Sequence, residues 1–593
     1  MVETISQLFL NTVKSFPKPD LLLHKFGGAY VPISTEEFDG NVGNTALGLM
    51  SLGCKHGSKV IILADNSPQW IMADFATQCL GAVTVPIYPT LVPEQIRYII
   101  DDSDAEVVFC SSAALWEKIV AIRESLPKVK HFISFLPDPP SGALALRDVQ
   151  ARGRALGTQD HGLFERTARS VRPADLASII YTSGTTGVPK GVMLTHGNFI
   201  SNVQTLASIV PFRDPDYILS FLPLSHVLER MVTFAFLSTG CSIGYAESVD
   251  TVAENLLEIR PNIMVSVPRL FEKLYGKIMD AVLLGSPLKR KIFRWAVRVG
   301  TEAGHRTLRK EEVGGVLRFK RGLAHKLVFS KILAKTGGRV RFFVSGGAPL
   351  SRDIAEFFYA IGLVVLEGYG LTETAPVIAV NTFDYLKFGT VGRPIPGIQV
   401  KIAADGEILA KGPNVMRGYY KKEAETREVF DADGWFHTGD VGHLDEDGYL
   451  VITDRKKDLI ITAGGKNVAP QPIENLLKRN PFIANAVVVG AGRKFVSALI
   501  VPAMDKLGEY ALQKSIPFSS AKDLIVRDDI RAFLLEEVDR STPHLAPYER
   551  VKRIALLDRD FEIEREELTP TLKVKRNKVE EKYKDVIDAM YRD

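Results

Sequence analysis

Short runs dense in Val and Ile, such as KVIILA, AEVVFC, LASIIY and CSIGYA, recur through the first half of the chain, each closed off by polar residues or glycine. Between them lie longer stretches, FDGNVGNTALGLMSLG and PEQIRYIIDD among them, in which apolar positions return every three or four residues. Unbroken apolar runs of that length read as strands covered on both faces, and the 3.6-residue repeat reads as amphipathic helix. Their alternation predicts an α/β fold with parallel sheets flanked by helices. From about Gly397 the texture changes. IQVKIAADGEILAKGPNVMRGYY crowds short strands and turns together and predicts a small β-rich subdomain. DGYLVITDRKKDLIITAGGKNVAP then sets two strand-like runs around a charged interruption, which is where a hinge belongs. The remaining stretch is long enough for an α+β domain of its own. The expected division is a large N-terminal domain, 1–455, and a smaller C-terminal one, 456–593.

Composition narrows the class. At 593 residues the chain exceeds what one hydrophobic core organises, and 46% hydrophobic with 24% charged residues is ordinary globular composition. Four scattered cysteines, Cys54, Cys79, Cys110 and Cys241, exclude a disulfide scaffold and a CxxC metal site, and suggest a reducing compartment. The opening MVETISQLFLNTVKSFPKPD lacks the pattern of a signal peptide, and no stretch approaches the roughly 20 apolar residues that span a bilayer. A cytoplasmic protein is the simplest expectation. The net charge of +4 conceals a segment, Lys289 to Arg341, with sixteen Lys/Arg against three acidic residues. At its start Leu288, just before the segment, and Ile292, Trp295 and Val299 share one helical face ringed by Lys289, Arg290, Lys291, Arg294 and Arg298. Two readings stand: a helix lying on an anionic membrane surface, or one packed inward.

The chemistry begins at YTSGTTGVPKGVMLTH, residues 181–196. Glycines 184, 187 and 191 let the backbone approach an anion and adopt positive φ. Successive N–H groups with Ser and Thr hydroxyls can donate to phosphate oxygens, and Lys190 adds a mobile charge. The spacing is not that of a Walker A loop, because Lys190 is followed by Gly191.

Downstream, in order, stand SGGAPL (345–350), EGYGLTET (367–374), GWFHTGD (434–440), DRKKDLIITAGGKNVAPQPIE (454–474) and TPTLKVKR (569–576). With the glycine-rich loop, this series resembles the adenylate-forming superfamily of acyl-CoA synthetases, adenylation domains and luciferases, from about Phe38 to the C-terminus. FLPLSHVLER, GAVTVPIYPTLVPEQIRYIIDDSDAEVVF and PTLKVKR make it most similar to the long-chain fatty acyl-CoA synthetases.

The resemblance implies that ATP and a fatty acid give acyl-AMP and pyrophosphate, and that coenzyme A then takes the acyl group. Thr182, Ser183, Gly184, Thr185, Thr186, Gly187 and Lys190 would hold the β- and γ-phosphates. Glu373 with Thr185 would hold Mg²⁺, a hard cation that prefers oxygen ligands. Gly346, Gly347 and Ala348 would wall the adenine, with Tyr369 stacked from the other side within Glu367, Gly368, Gly370, Leu371 and Thr372. Asp440 and Arg455 would reach the ribose. Lys573 would bridge the attacking carboxylate and the α-phosphate, with Lys575 as the competing assignment, since Leu572 stands where many relatives have glycine. A mobile C-terminal domain, pivoting near Asp454 to Lys457, would then withdraw the lysine and bring Gly464 and Lys466 to coenzyme A. His226 would sit near the substrate carboxylate, and residues such as Val265 to Leu270 would contribute to the acyl tunnel.

The expected partners are therefore fatty acid, ATP and coenzyme A, with no nucleic acid. A homodimer and peripheral membrane contact through 289–341 stay open. Three rivals remain. A peptide-synthetase adenylation module would need a carrier segment after Lys573, and none follows. A fatty acyl-AMP ligase hands its product to a carrier protein, and the compact VITDRKKDLIITAGG lacks the insertion that group carries near the hinge. A non-catalytic acyl- or nucleotide-binding relative would have no need of Lys573, Glu373, Asp440 and Arg455 together.

Overall fold

A computed structural model describes residues 2–182, 188–562, 565–569 and 574–592. It contains two compact units: Met1–Lys401, Leu409–His437 and Asp445–Val451 form the first, and Ile402–Ile408, Thr438–Leu444 and Ile452–Asp593 the second.

The first unit is built on two large sheets. One runs Arg393–Pro394, Val377–Val380, Val364–Gly370, Phe342–Ser345, Ile263–Ser266, Tyr217–Ser220, Ser242–Tyr245, Leu22–Phe26, Ala29–Ile33. Its six central strands are parallel, and antiparallel strands close each edge. The other runs Gly418–Tyr419, Lys190–Thr195, Leu176–Thr182, Val83–Ile87, Lys59–Leu63, Val107–Cys110, His131–Ser134, Leu144–Ala145. It is parallel except where the Leu176–Thr182 and Lys190–Thr195 strands form an antiparallel hairpin joined on its outer side by Gly418–Tyr419. The four apolar runs named above are strands in these sheets, and PEQIRYIIDD is the helix Pro93–Asp102, entered through a proline whose missing N–H costs nothing there. Parallel strands buried on both faces have no need of polar alternation, which is why VVFC at 107–110 is buried at all four positions.

Two helices, Pro68–Cys79 and Val227–Ser238, are buried nearly all round, so their few charged residues must find partners inside. The Arg230 guanidinium donates from Nε to Asp74 Oδ2 at 2.7 Å and from Nη2 to Oδ1 at 2.5 Å, with both side chains fully inaccessible. Thr84 donates to the same carboxylate at 2.7 Å, and Arg230 Nη1 reaches Ser178 Oγ at 2.7 Å. The pair thus ties a helix from each sheet's connections to a strand of the hairpin that carries the glycine-rich loop. Phe75 and Phe234, with ring centroids 5.3 Å apart, pack beside it.

The second sheet-rich region matches the change of texture after Gly397: Gln399–Ile402, Glu407–Lys411, Phe436–Leu444 and Leu450–Arg455 form a four-stranded sheet in that order. In the second unit, Ile483–Val489 pairs antiparallel with Ser497–Pro502, which pairs parallel with Ile554–Leu556. Val488 and Ile500 face a core with Ile473, Leu477, Leu507 and Leu534, while Val487, Val489 and Leu499 face Val579 on the other side. Helices therefore cover both faces, as an α+β domain requires.

The helix Pro287–Leu308 packs inward through Phe293, Ala296, Val299 and Gly300, with Trp295 half-buried and Leu288 left exposed. Of the two readings of this face, packing wins over most of its length. The four cysteines are buried and unpaired. No helix among the described residues is long and apolar enough to cross a membrane.

Arg230→Met strands a buried carboxylate and should lower the stability of the first unit by about 3–5 kcal/mol. All four tryptophans lie in this unit, so denaturant unfolding followed by tryptophan fluorescence measures the loss; adding Asp74→Asn should restore part of it.

Candidate active site

The hairpin that carries the glycine-rich loop ends with Thr182 directly opposite Lys190. Ser183, Gly184, Thr185, Thr186 and Gly187 lie outside the described residues. The hairpin's base is rigid for reasons read directly from its neighbours. Tyr98 Oη donates to Pro189 O at 3.1 Å, Tyr181 Oη donates to Asp102 at 2.6 Å, and the Gly191 carbonyl accepts from Tyr420 N at 2.7 Å. A Cβ on Gly191 would come within 2.7 Å of Ile179, so glycine here serves packing as well as the loop.

Lys190 and Glu373 meet through a residue that sequence reasoning passed over. The Lys190 ammonium lies over the Tyr419 ring, 5.2 Å from its centroid, and Tyr419 Oη donates to Glu373 Oε1 at 3.0 Å. Burial and the neighbouring carboxylate push the Tyr419 phenol far above its ordinary pKa, so it stays a donor. Glu373 itself sits in a short 3₁₀ turn, Thr372–Thr374, half-buried rather than exposed. Its backbone carbonyl accepts from Met416 N at 2.7 Å. Two fully buried asparagines clamp the following turn: Asn414 donates to Thr374 O and Val377 O, and Asn202 accepts from Val377 N at 2.7 Å. Gly370 has no room for a side chain, because a Cβ would lie 1.8 Å from the Pro376 carbonyl. Gly368 has ordinary clearance. The glycine after Tyr369 is thus demanded by the chain's own turn, whatever lies against the half-buried tyrosine.

The parallel strands of the larger sheet deliver a row of polar groups at their carboxyl ends, where α/β folds place ligands. Ser266, Ser345 and Glu367 stand side by side in register, and Ser220 stands beside Tyr245. Glu367 is buried, and burial raises its carboxyl to about 8. Past Ser345 the chain turns through Gly346, whose absent side chain clears Leu228, and through Gly347 at φ +81°, which leaves Gly347 and Ala348 exposed. Leu371 and Thr372 are half-buried between this edge and Glu373. His226 caps the helix Val227–Ser238: its Nδ1 accepts from Leu228 N at 3.1 Å, so that nitrogen is unprotonated and any proton sits on Nε2. One turn on, Glu229 is fully buried, accepts from Ser220 Oγ at 2.6 Å, and is pushed up to about 8 by burial.

The second unit carries the other expected residues. Asp440, 5% exposed, lies in the strand Phe436–Leu444 with Arg455 Nε 3.3 Å from its Oδ1. Gly439 at φ +72° presents its N–H to Glu407 at 2.9 Å, and Glu407 also accepts from Lys456 Nζ at 2.9 Å. Asp454, at the expected pivot, is raised to about 6 by burial and accepts from the N–H groups of Arg455 and Gln471. Gly464 and Lys466 lie in an exposed turn between Ile460–Ile461 and Asn467–Val468, with Lys466 Nζ 5.9 Å from the Tyr548 ring. Lys573 lies outside the described residues. Lys575 directly precedes the helix Arg576–Lys582, which Arg576 anchors by donating to Glu474 at 2.7 Å.

Tyr419, Glu229 and the Asp74–Arg230 pair are the residues packed around the candidate site that pattern reading missed. Asp74 in IMADFATQC and Glu229-Arg230 in VLERMVTFAFL carried a usable signal, since a charged residue inside an apolar helical run must be partnered. Tyr419 carried none, because its role depends on a pairing between strands over two hundred residues apart.

The AMP-binding enzyme family matches residues 13–420, and the AMP-binding enzyme C-terminal domain matches residues 457–593. The chain is 37% identical over 581 residues to the long-chain-fatty-acid–CoA ligase FadD15 of Mycobacterium bovis, covering 97% of this chain and 95% of that one. It is 33% identical to the peroxisomal long chain acyl-CoA synthetase 6 of Arabidopsis thaliana, covering 93% and 80%. Among solved structures it superposes on ATP-bound MatB from Rhodopseudomonas palustris with a TM-score of 0.69 and 25% identity, over 98% of this chain and 99% of that one.

Glu229 makes a pH prediction. Its folded pKa is raised from 4.5 to about 8, so the stability gained by burying it neutral is complete below pH 4.5 and is lost as pH rises through about 8. Glu229→Gln should remove one proton's worth of that slope, about 1.4 kcal/mol per pH unit. Tryptophan-monitored unfolding of both proteins across this range measures it.

Proposed function

The chain belongs to the AMP-binding enzyme family, and we propose that it is a long-chain-fatty-acid–CoA ligase (AMP-forming), using ATP, Mg²⁺ and coenzyme A. The observation that carries this reading to named residues is the linkage of Lys190 to Glu373 through Tyr419 at the base of the glycine-rich hairpin. A cation and an oriented carboxylate held there suit a polyphosphate with its metal.

A carboxylate is a weak acylating agent because its oxygen is a poor leaving group. In the first step a fatty carboxylate oxygen attacks the α-phosphorus of ATP, the bond to the bridging oxygen breaks, and pyrophosphate leaves. In the second, the coenzyme A sulfur, having lost its proton, attacks the acyl carbon, and AMP leaves with the electron pair of the broken C–O bond. Both reactants of the first step are anionic, so the protein's work is neutralisation and positioning. Lys190, with Thr182 and the hydroxyls and N–H groups of 183–187, would hold the departing pyrophosphate. Glu373 fits a divalent cation: it is a half-buried carboxylate already oriented by one phenol, and Thr185 would complete the pair. Bound there, the metal would supply positive charge to the phosphate oxygens. The exposed Gly347–Ala348 turn would take a flat base, Tyr369 would stack on the base's other face, and Asp440 with Arg455 would take the ribose. Lys573 would neutralise charge between the two reactants. His226, fixed as a cap, would orient the carboxylate. We extend the reading to a C-terminal domain, 456–593, that pivots near Asp454–Lys457 to exchange Lys573 for Gly464 and Lys466, and to a cytoplasmic enzyme touching a membrane surface.

Fatty-acid-dependent ATP–pyrophosphate exchange, followed by thioester formation with coenzyme A or with a carrier protein, tests the reaction. Exchange with thioester on coenzyme A is expected; transfer to carrier protein alone would make it an acyl-AMP ligase, and no exchange would make it a binding protein. Lys573→Ala should abolish exchange while sparing thioester formation from supplied acyl-AMP, whereas Lys575→Ala should do neither. Tyr419→Phe should lower exchange by about ten- to a hundredfold and raise the Mg²⁺ requirement, as expected for losing a hydrogen bond to a charged group.

A further inference from the structure

The helix Gly315–Ala324 and the π-helical turn His325–Phe329 that continues it have two apolar faces, and only one is used. Leu317, Ala324, Val328 and Phe329 pack into the core shared with Phe293 and Ala296. Val316, Phe319 and Leu323, spaced i, i+3 and i+7, are 72%, 74% and 41% exposed, and Leu327 on the next turn is 43% exposed. At 100° per residue Val316, Phe319 and Leu323 fall in one sector of the helix with Lys320 at its border, and Leu327 and Lys326 follow on the π-helical turn. Arg318 and Arg321 are exposed as well. None of these four cations pairs with a carboxylate among the described residues, and from Val313 to Arg341 the chain has no acidic residue. An apolar ridge set between unpaired cations on a convex helix is the form that inserts at a lipid headgroup boundary, with the ridge among the acyl chains and the lysines at the phosphates. A groove for a peptide would be concave, whereas here the ridge projects outward and the cations around it match anionic headgroups in charge.

We propose that this helix, and not the Pro287–Leu308 face that the periodicity singles out, docks the protein on an anionic membrane surface. The proposal rests on the ligase reading for its purpose: a fatty acid gains about 0.8 kcal/mol per methylene by staying in the bilayer, so the substrate resides there. Four exposed apolar side chains with four cations provide a reversible attachment rather than a permanent anchor.

Co-sedimentation with vesicles of phosphatidylcholine mixed with phosphatidylglycerol, against phosphatidylcholine alone, tests it at low salt. The wild-type protein should sediment with the anionic vesicles only. Phe319→Glu combined with Leu323→Glu should reduce the bound fraction about tenfold or more, and Lys320→Gln with Lys326→Gln should weaken binding and flatten its salt dependence. Leu512→Glu, a change at an exposed leucine of the second unit, should sediment as the wild type does. Failure of the wild type to sediment, or sedimentation of the Phe319/Leu323 variant at the wild-type level, would overturn the proposal. So would a concentration-dependent dimer that the same variant dissolves, since a second copy would then occupy the ridge. Thioester formation from a detergent-dispersed fatty acid, measured on every protein, should be unchanged; its absence in the wild type would remove the ligase reading while leaving the vesicle result intact.

Discussion

The first unit depends on one buried ion pair. Asp74 and Arg230 come from helices that connect different sheets, and neither touches water. Moving two such charges out of solvent is costly, and the cost is met only because the guanidinium offers two N–H groups to one carboxylate while Thr84 and Ser178 use the remaining sites. The arrangement admits little sliding. A shift of either helix by a fraction of a turn would part the pair and leave two desolvated charges, so the relative position of the sheets is specified electrostatically as well as by Phe75 against Phe234. Replacing the pair with hydrocarbon could preserve stability while surrendering that specification.

Everything assigned to chemistry in this unit is attached to the same frame. Arg230 lies one turn beyond His226, the cap of its helix, and its Nη1 holds Ser178 in the strand that ends at Thr182. Buried Asn202 and Asn414 set the turn bearing Glu373, and Tyr419 joins that turn to Lys190. His226, Glu373 and Lys190, the side chains proposed to meet substrate or metal here, are thus oriented by neighbours that are not. This follows the general demand that a charge-stabilising site be preorganised before the charge develops.

How much of this was legible depended on how local the cause was. Strand runs such as VVFC and helices such as PEQIRYIIDD follow from burial on both faces or on one, which a short window of residues records. The glycine-rich hairpin and the turn of fold character after Gly397 were likewise visible in composition. The face chosen by the basic helices was not: Leu288, Ile292, Trp295 and Val299 have the right spacing for a membrane face, yet Phe293 and Ala296 next to them find a core and rotate the helix inward. Periodicity reports that a face is apolar and is silent about what covers it. Gly370 marks a similar limit, since its need for a bare α-carbon comes from Pro376 six residues on. The terminal motif favoured Lys573 over the competing Lys575, and the structure describes only the second.

The four unpaired cysteines bear on the fidelity of a thioester-forming catalyst. Burial pushes the Cys110 and Cys241 thiols up to about 11, and Cys54 higher still, so at neutral pH they are neither ionised nor reachable. A freshly made acyl thioester therefore meets no competing sulfur nucleophile on the protein that produced it, and self-acylation by transthioesterification is closed off by the same packing that builds the core.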